Sequence, residues 1–316
     1  MKRRWALLLA ALALLVQGPA WAMAWVGCQP TAAPTASQVD GLLQLSALVQ
    51  EELEHSGAPV ALISRSGLQL ERLGHLHSHA GFALPMPSGP WQVRQLYMDC
   101  AASQPGLFDE GLPGFVMGAS ATEQVRVAIV FVPQARVLHA QSLALQVSDA
   151  ARAVSLLGAR YSANAHAWST VHQNCNQWVA EMLGLAISRR VDSDGIASEF
   201  VPAPLGATDA RTQAQASLRA MQAKPSVITW PTLLPSWLIG ALPYLSLDDH
   251  PAQDLRRRQF QVWMPQSLEA LIQSLEPQSQ RTEFCMVGRR IVVHRGWQGL
   301  SRDCAARDGD RVLMLV

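Results

Sequence analysis

Charge of either sign is scarce in this chain. Charged residues make up 16% of it and balance to a formal net charge of +1. No basic run interleaves with aromatics, so nothing invites nucleic acid or an anionic membrane surface as a partner. No repeat of solenoid period is present, which excludes a stacked-repeat architecture. The histidines and acids match no specific zinc signature, so the chain calls for no metal and no other cofactor. What remains is a 316-residue chain that is 49% hydrophobic, long enough for one large domain or two ordinary ones.

The N-terminus is the exception to the scarcity of charge. Lys2, Arg3 and Arg4 precede an apolar run at residues 5–16, which Gly18-Pro19 then breaks. Ala20-Trp21-Ala22 and Ala22-Met23-Ala24 both offer small residues at a cleavage site. Residues 1–24 therefore read as a signal peptide, and the apolar run is short for a spanning anchor. The expected address is a bacterial periplasm, with no stable membrane span after the signal is removed. Five cysteines, Cys28, Cys100, Cys175, Cys285 and Cys304, follow the signal. In an oxidising compartment they tend to pair, and an odd number leaves one over. Cys285 and Cys304 flank a compact strand-like unit and form the natural pair. Cys28–Cys100 is the expected second staple, which leaves Cys175 free.

Periodicity predicts a helix over residues 39–56, a short buried strand over 60–64 and a second strand over 75–84. An alternating strand follows at 91–98, and a β-branched one at 125–132. Helices are expected at 149–157, 174–185 and 208–223. Residues 226–247 are rich in Trp and Pro, and their internal prolines argue for an irregular arm over the core and against a membrane helix. A helix and a strand close the chain between 262 and 295. The fold class is α+β with a mainly antiparallel sheet.

His75, His77 and His79 stand at alternate positions in "GHLHSHAGFAL". On a strand they would share one face, and a metal reading would bring in Asp248, Asp249 and His250 as further ligands. A second reading begins at Cys175, in "HQNCNQWVAEML". A cysteine in the first turn of a helix feels the positive end of the helix dipole, which lowers a thiol pKa. The free N–H groups there can form an oxyanion hole, and a nucleophile at that place needs a nearby imidazole base.

"SHAGFAL" with a hairpin partner strand, and later "NCNQWV" at a helix start, resembles the circularly permuted branch of the NlpC-type papain-like superfamily. Lecithin–retinol acyltransferases and bacterial envelope hydrolases share that order. "HAGFAL", "VRQLY", "GLPGFVMG", "YSAN" and "NCNQWVAE" together also resemble a bacterial exported family of unknown function. The resemblance implies a permuted papain-like core over residues 25–200, with an antiparallel sheet and a helix bearing the cysteine. Residues 201–316 would be a C-terminal extension packed on it. It implies Cys175 as nucleophile, His79 as base, and Gln95 as the group that holds the imidazole, where many permuted members carry an acid. Tyr161 and the Cys175 N–H would stabilise an oxyanion, Asn174 would hold the loop or line the site, and His77 and His75 would be neighbours.

The expected chemistry is cleavage or transfer of an acyl group through a thioester. The envelope address points to a peptidoglycan peptide or an acyl lipid as substrate. The alternatives are a non-catalytic envelope-binding module that keeps the fold, and a metal-binding protein using His75, His77 and His79.

Overall fold

The computed structural model describes residues 34–68, 70–87, 89–102, 104–119, 124–131, 143–144, 146–187, 207–230 and 244–315. The expected signal peptide and Cys28 lie outside them, as do residues 231–243 of the Trp-rich arm.

Helix α1 (Ala36–Ser56) starts where Thr35 and Gln38 form a capping box, and stops at Gly57, whose φ of 63° suits glycine. Leu42, Leu45, Val49 and Leu53 recur at three- and four-residue spacing and are all buried. Strand β1 (Ala61–Arg65) follows, buried along its whole length. The strands β2 (His79–Met86), β3 (Gly89–Asp99) and β4 (Gln104–Gly111) form a meander, and helix α2 (Leu112–Met117) follows them. Strand β5 (Gln124–Phe131), helix α3 (Ala150–Ser155), helix α4 (Cys175–Ile187) and helix α5 (Ala207–Ala220) come next. The short strand β6 (Ser226–Thr229) pairs with β7 (Gln259–Val262) across helix α6 (Ala252–Arg257). Helix α7 (Pro265–Leu275) leads into β8 (Gln280–Val287), β9 (Arg290–Arg295) and β10 (Arg311–Met314).

Eight strands make one sheet in the order β10-β9-β8-β5-β1-β2-β3-β4, and each adjacent pair runs antiparallel. The fold is therefore α+β with a large antiparallel sheet. Side chains alternate between its faces. Ala61, Ile63, Val127, Ile129 and Phe284 pack against α1 and Phe115 of α2 on one side. Leu62, Phe82 and Val130 pack against Trp178, Val179 and Met182 of α4 on the other, together with α5 and α7. Trp178 is fully buried, and its indole N–H donates to the Ala153 carbonyl at 3.2 Å. Among the described residues no helix is long and apolar enough to cross a membrane.

β8 pairs with β5 over the full length of both strands, so residues on either side of the boundary expected near residue 200 contribute to one sheet. One expectation needs revision. The strand expected from residue 75 begins only at His79. A 3-10 turn at Glu71–Leu73 closes on Gly74, with φ of 85°, so His75 and His77 belong to the approach to the strand. The three histidines therefore share no strand face.

The Cys285–Cys304 disulfide is present, with its Cα atoms 6.1 Å apart, and Cys175 is a free, buried thiol. Cys100 is also disulfide-bonded, while the expected partner Cys28 is outside the described residues.

Candidate active site

The site forms where strand β2 starts. Arg65 and His79 are partners in the β1–β2 ladder, so their side chains leave the same face. Between β2 and β3 the registered pairs begin only at Phe82↔Arg94, leaving His79, Ala80 and Gly81 outside that ladder. Gly81 lets β3 approach closely there, since a Cβ on it would meet the Arg94 carbonyl oxygen at 2.8 Å and the Gln95 Cβ at 3.0 Å. The Gln95 side chain reaches back to His79, and its Oε1 lies 2.6 Å from the imidazole Nε2. An amide oxygen only accepts, so Nε2 carries the proton and Nδ1 keeps its lone pair. The ring stacks on Tyr97 with centroids 4.4 Å apart and tilts against Phe115 at 5.8 Å.

Cys175 is the first residue of α4. Asn174 caps the helix, its Oδ1 accepting from the Gln177 N–H at 2.8 Å, while its amide donates to the Ala163 carbonyl at 3.1 Å. Gln173 anchors the approach from inside, donating to Leu156 O at 2.8 Å and to the Glu181 carboxylate at 2.7 Å. Asn176 ties the helix to the strand start by donating to Ser78 O at 3.1 Å. The thiol consequently lies against the start of β2, where that strand has no registered β3 partner, within reach of the Ala80 N–H. It donates to Asn176 Oδ1 at 3.6 Å, and among the described residues no hydrogen bond joins it to His79.

The electrostatics reverse one expectation. Burial pushes the Cys175 thiol up to about 11, against the pull of the Ala80, Asn176 and Cys175 N–H groups and of Arg65. Desolvation at this depth outweighs the helix terminus. Burial also holds the His79 imidazole well below its usual value, reinforced by Arg65 and opposed by the bond to Gln95. The resting pair is therefore a neutral thiol and a neutral imidazole. Tyr161 is placed beside them by an isolated bridge to Gln173. Burial raises its phenol pKa, and Cys175 and Tyr97 add to the rise, so it remains a donor.

Cys175, His79, Gln95 and Tyr161 thus converge from four separate segments. Asn174 serves as a helix cap, and the other two histidines lie elsewhere. His77 Nε2 faces Glu283 Oε1 at 3.9 Å, within a buried network in which Arg126 and Arg281 hold the same carboxylate at 2.9 and 3.0 Å. His75 is buried, and its Nδ1 has no partner among the described residues. The further ligands of a metal reading serve another loop: Asp248 bonds His172 at 2.7 Å, Asp249 accepts from the His166 N–H at 2.9 Å, and His250 bonds Asn164 O at 2.8 Å. Among the described residues no three His, Cys, Asp or Glu side chains gather to hold a metal.

The sequence reading missed Arg65, Tyr97 and Asn176. Tyr97 was signalled weakly, standing two residues beyond Gln95 on the same strand face. Arg65 was a charge ending a short buried strand, a pattern that says nothing without the register.

Over residues 52–272 the chain matches a family described as "Uncharacterized protein conserved in bacteria (DUF2145)". No curated protein and no solved structure matches it.

Proposed function

The chain belongs to this bacterial family, and within it we propose an exported cysteine hydrolase or acyltransferase acting on an amide or ester bond of a cell-envelope substrate. The export reading rests on residues 1–24 and the periplasmic address they suggest. One observation carries the chemistry. Gln95 fixes the His79 tautomer so that the lone pair is on Nδ1, one residue from the N–H that meets the Cys175 sulfur.

In this reading Sγ attacks the acyl carbon as its proton passes to His79 Nδ1. The developing oxyanion is met by the Cys175 N–H and the Tyr161 hydroxyl. Collapse expels the amine or alcohol, which takes the proton back from the imidazolium, and leaves a thioester. Water or an acceptor hydroxyl then releases the acyl group. Gln95 is a positioning residue in this scheme, holding the base without touching substrate. The permuted papain-like likeness supports the same assignment of roles.

A second reading, a non-catalytic envelope-binding module, is favoured by the raised thiol and depressed imidazole, which disfavour a thiolate–imidazolium pair at rest. Wild-type protein and Cys175→Ser should be incubated with muropeptides and with phospholipid vesicles, with products and acyl-protein adducts followed by mass spectrometry. An acyl adduct on Cys175, with product formation lost in Cys175→Ser, is expected. Unchanged substrates and no adduct across both classes would leave the binding module.

A further inference from the structure

We propose that Arg65 forms a recognition site for a carboxylate group beside the Cys175 thiol. The assignment of that carboxylate to an acyl substrate rests on the hydrolase reading; the anion site itself does not.

Arg65 is unlike the other buried arginines. Arg126 holds Glu283 at 2.9 Å, Arg211 holds Glu181 at 2.8 Å and Arg281 holds Glu269 at 2.7 Å. Arg65 is only 3% exposed, yet among the described residues it pairs with no carboxylate. Its guanidinium is held by carbonyls and rings instead. Nη1 donates to Ser66 O at 3.1 Å and Gly118 O at 2.6 Å, and Nη2 donates to the Tyr97 hydroxyl. Cζ lies 5.3 Å from the Phe115 ring centre and 5.9 Å from that of Tyr97. Gly118 closes one side, since a Cβ there would stand 2.5 Å from Nη2 and 3.1 Å from Nε. Half-buried Glu110 feels this charge, yet among the described residues it forms no ion pair with Arg65, and burial pushes its carboxyl toward the neutral form.

A guanidinium has five N–H donors, and three are used. Nε is buried and has no acceptor among the described residues. In a guanidinium Nε–H and one Nη2–H share an edge and point in parallel, the spacing that matches the two oxygens of a carboxylate. A buried cation lacking a counter-ion is costly unless something supplies one. The charge also reaches both reacting side chains, because Arg65 acts on Cys175 and on His79. The fitting substrate class is an acyl compound bearing a free carboxylate near the scissile carbonyl, such as a peptide cleaved close to its C-terminus.

Two alkylating agents that differ only in a carboxylate test this without any need for turnover. Iodoacetate and iodoacetamide both form a sulfur–carbon bond as iodide leaves and the thiol proton passes to solvent. Their rates at Cys175 are read by peptide mass at one alkaline pH, with glutathione as the reference thiol. The iodoacetate-to-iodoacetamide ratio should exceed that of glutathione by about tenfold, the scale of one charge-assisted pair. Iodoacetate labelling should saturate, acetate should slow it, chloride at equal ionic strength should not, and phosphate should act more weakly than acetate. A folded Arg65→Gln variant should return the ratio to the glutathione value. A wild-type ratio no higher than that of glutathione, stronger protection by phosphate, or a folded Arg65→Gln that keeps the preference would each overturn the proposal. Should Arg65→Gln fail to fold by circular dichroism, the wild-type ratio and the competition series decide. A protein inert toward every envelope substrate could still show the preference, so failure of the hydrolase reading is distinguishable from failure of this one.

Discussion

Cys175 should be a slow thiol at neutral pH and should accelerate far into the alkaline range. Its pKa is pushed up to about 11 by burial. A group whose charged form is disfavoured ionises later, so thiolate accumulates only as pH rises toward that value. At about pH 7.5 the thiolate fraction is then roughly 300-fold below that of an exposed cysteine with a pKa of about 8.5. A more basic thiolate is intrinsically more nucleophilic, by roughly tenfold for a shift of this size, which offsets part of the loss. The expected alkylation rate with iodoacetamide is therefore about 30-fold below that of glutathione at the same pH. Steric shielding lowers the whole curve without changing its slope. The slope is thus the discriminating feature: the rate should keep rising about tenfold per pH unit beyond 8.5, where an ordinary thiol levels off. Arg65→Gln should move the curve to higher pH, because Arg65 favours the thiolate. A plateau reached by about pH 7, or an inflection near 6, would show an ion pair with His79 and refute the argument from burial.

Acid should destabilise the protein through His79. Its folded pKa is depressed below the usual 6.5, so the unfolded chain binds the proton first. The stability contributed by the neutral ring is complete above the unfolded pKa and is lost as pH falls, at up to about 1.4 kcal/mol per pH unit. His79→Phe should flatten the fall in Tm between about pH 7 and 5, and an unchanged slope would mean that the ring is hydrated in the folded state. Arg211→Met should cost about 3–5 kcal/mol, because it leaves the Glu181 carboxylate buried without its cation. Burial already holds the Glu181 carboxyl above its usual range, so the deficit should shrink as pH falls and the group protonates. Adding Glu181→Leu should recover most of the loss in urea unfolding followed by tryptophan fluorescence, and a double variant no better than the single would contradict this account.

The strands richest in β-branched residues were legible because their pattern matches a buried, pleated environment. Val125, Val127, Ile129 and Val130 place β5 without any tertiary information. Strand β4, "QPGLFDEG", was not legible: it is an edge strand, where proline and glycine are tolerated and only one neighbour, β3, selects the residues. The histidine ladder misled because alternation is necessary but not sufficient for a strand, and Gly74 turns the chain before pairing begins. Local sequence could likewise mark Cys175 as the head of a helix, since Asn174 caps and Trp178 faces inward. It could not show how deeply the thiol would be covered, and that depth sets the direction of its pKa.

The spacing of "HAG" follows from the same geometry. Residues two apart on a strand share a face, so His79 and Gly81 project to the same side. Gln95 follows Arg94, the partner of Phe82, and so stands across from Gly81. A glutamine side chain can lie over that position and reach the imidazole only if nothing projects from it. Gly81→Ala would set a methyl 2.8 Å from the Arg94 carbonyl oxygen and 3.0 Å from the Gln95 Cβ. The first contact is closer than a Cβ tolerates and is to backbone, which cannot rotate away, and the second is tight enough that Gln95 must give way. The variant should lose about 1–3 kcal/mol through overpacking, and β3 should shift so that the bond from His79 to Gln95 lengthens or breaks. Releasing that bond removes the constraint on the imidazole tautomer. The slowly exchanging Nε2 proton expected in the NMR spectrum of the wild type should then be lost in Gly81→Ala. The same loss should appear in Gln95→Leu, which leaves Gly81 in place. If Gly81→Ala kept the protected proton, Gln95 would be held by something other than the open space over Gly81, and the link between the motif and the tautomer would fail.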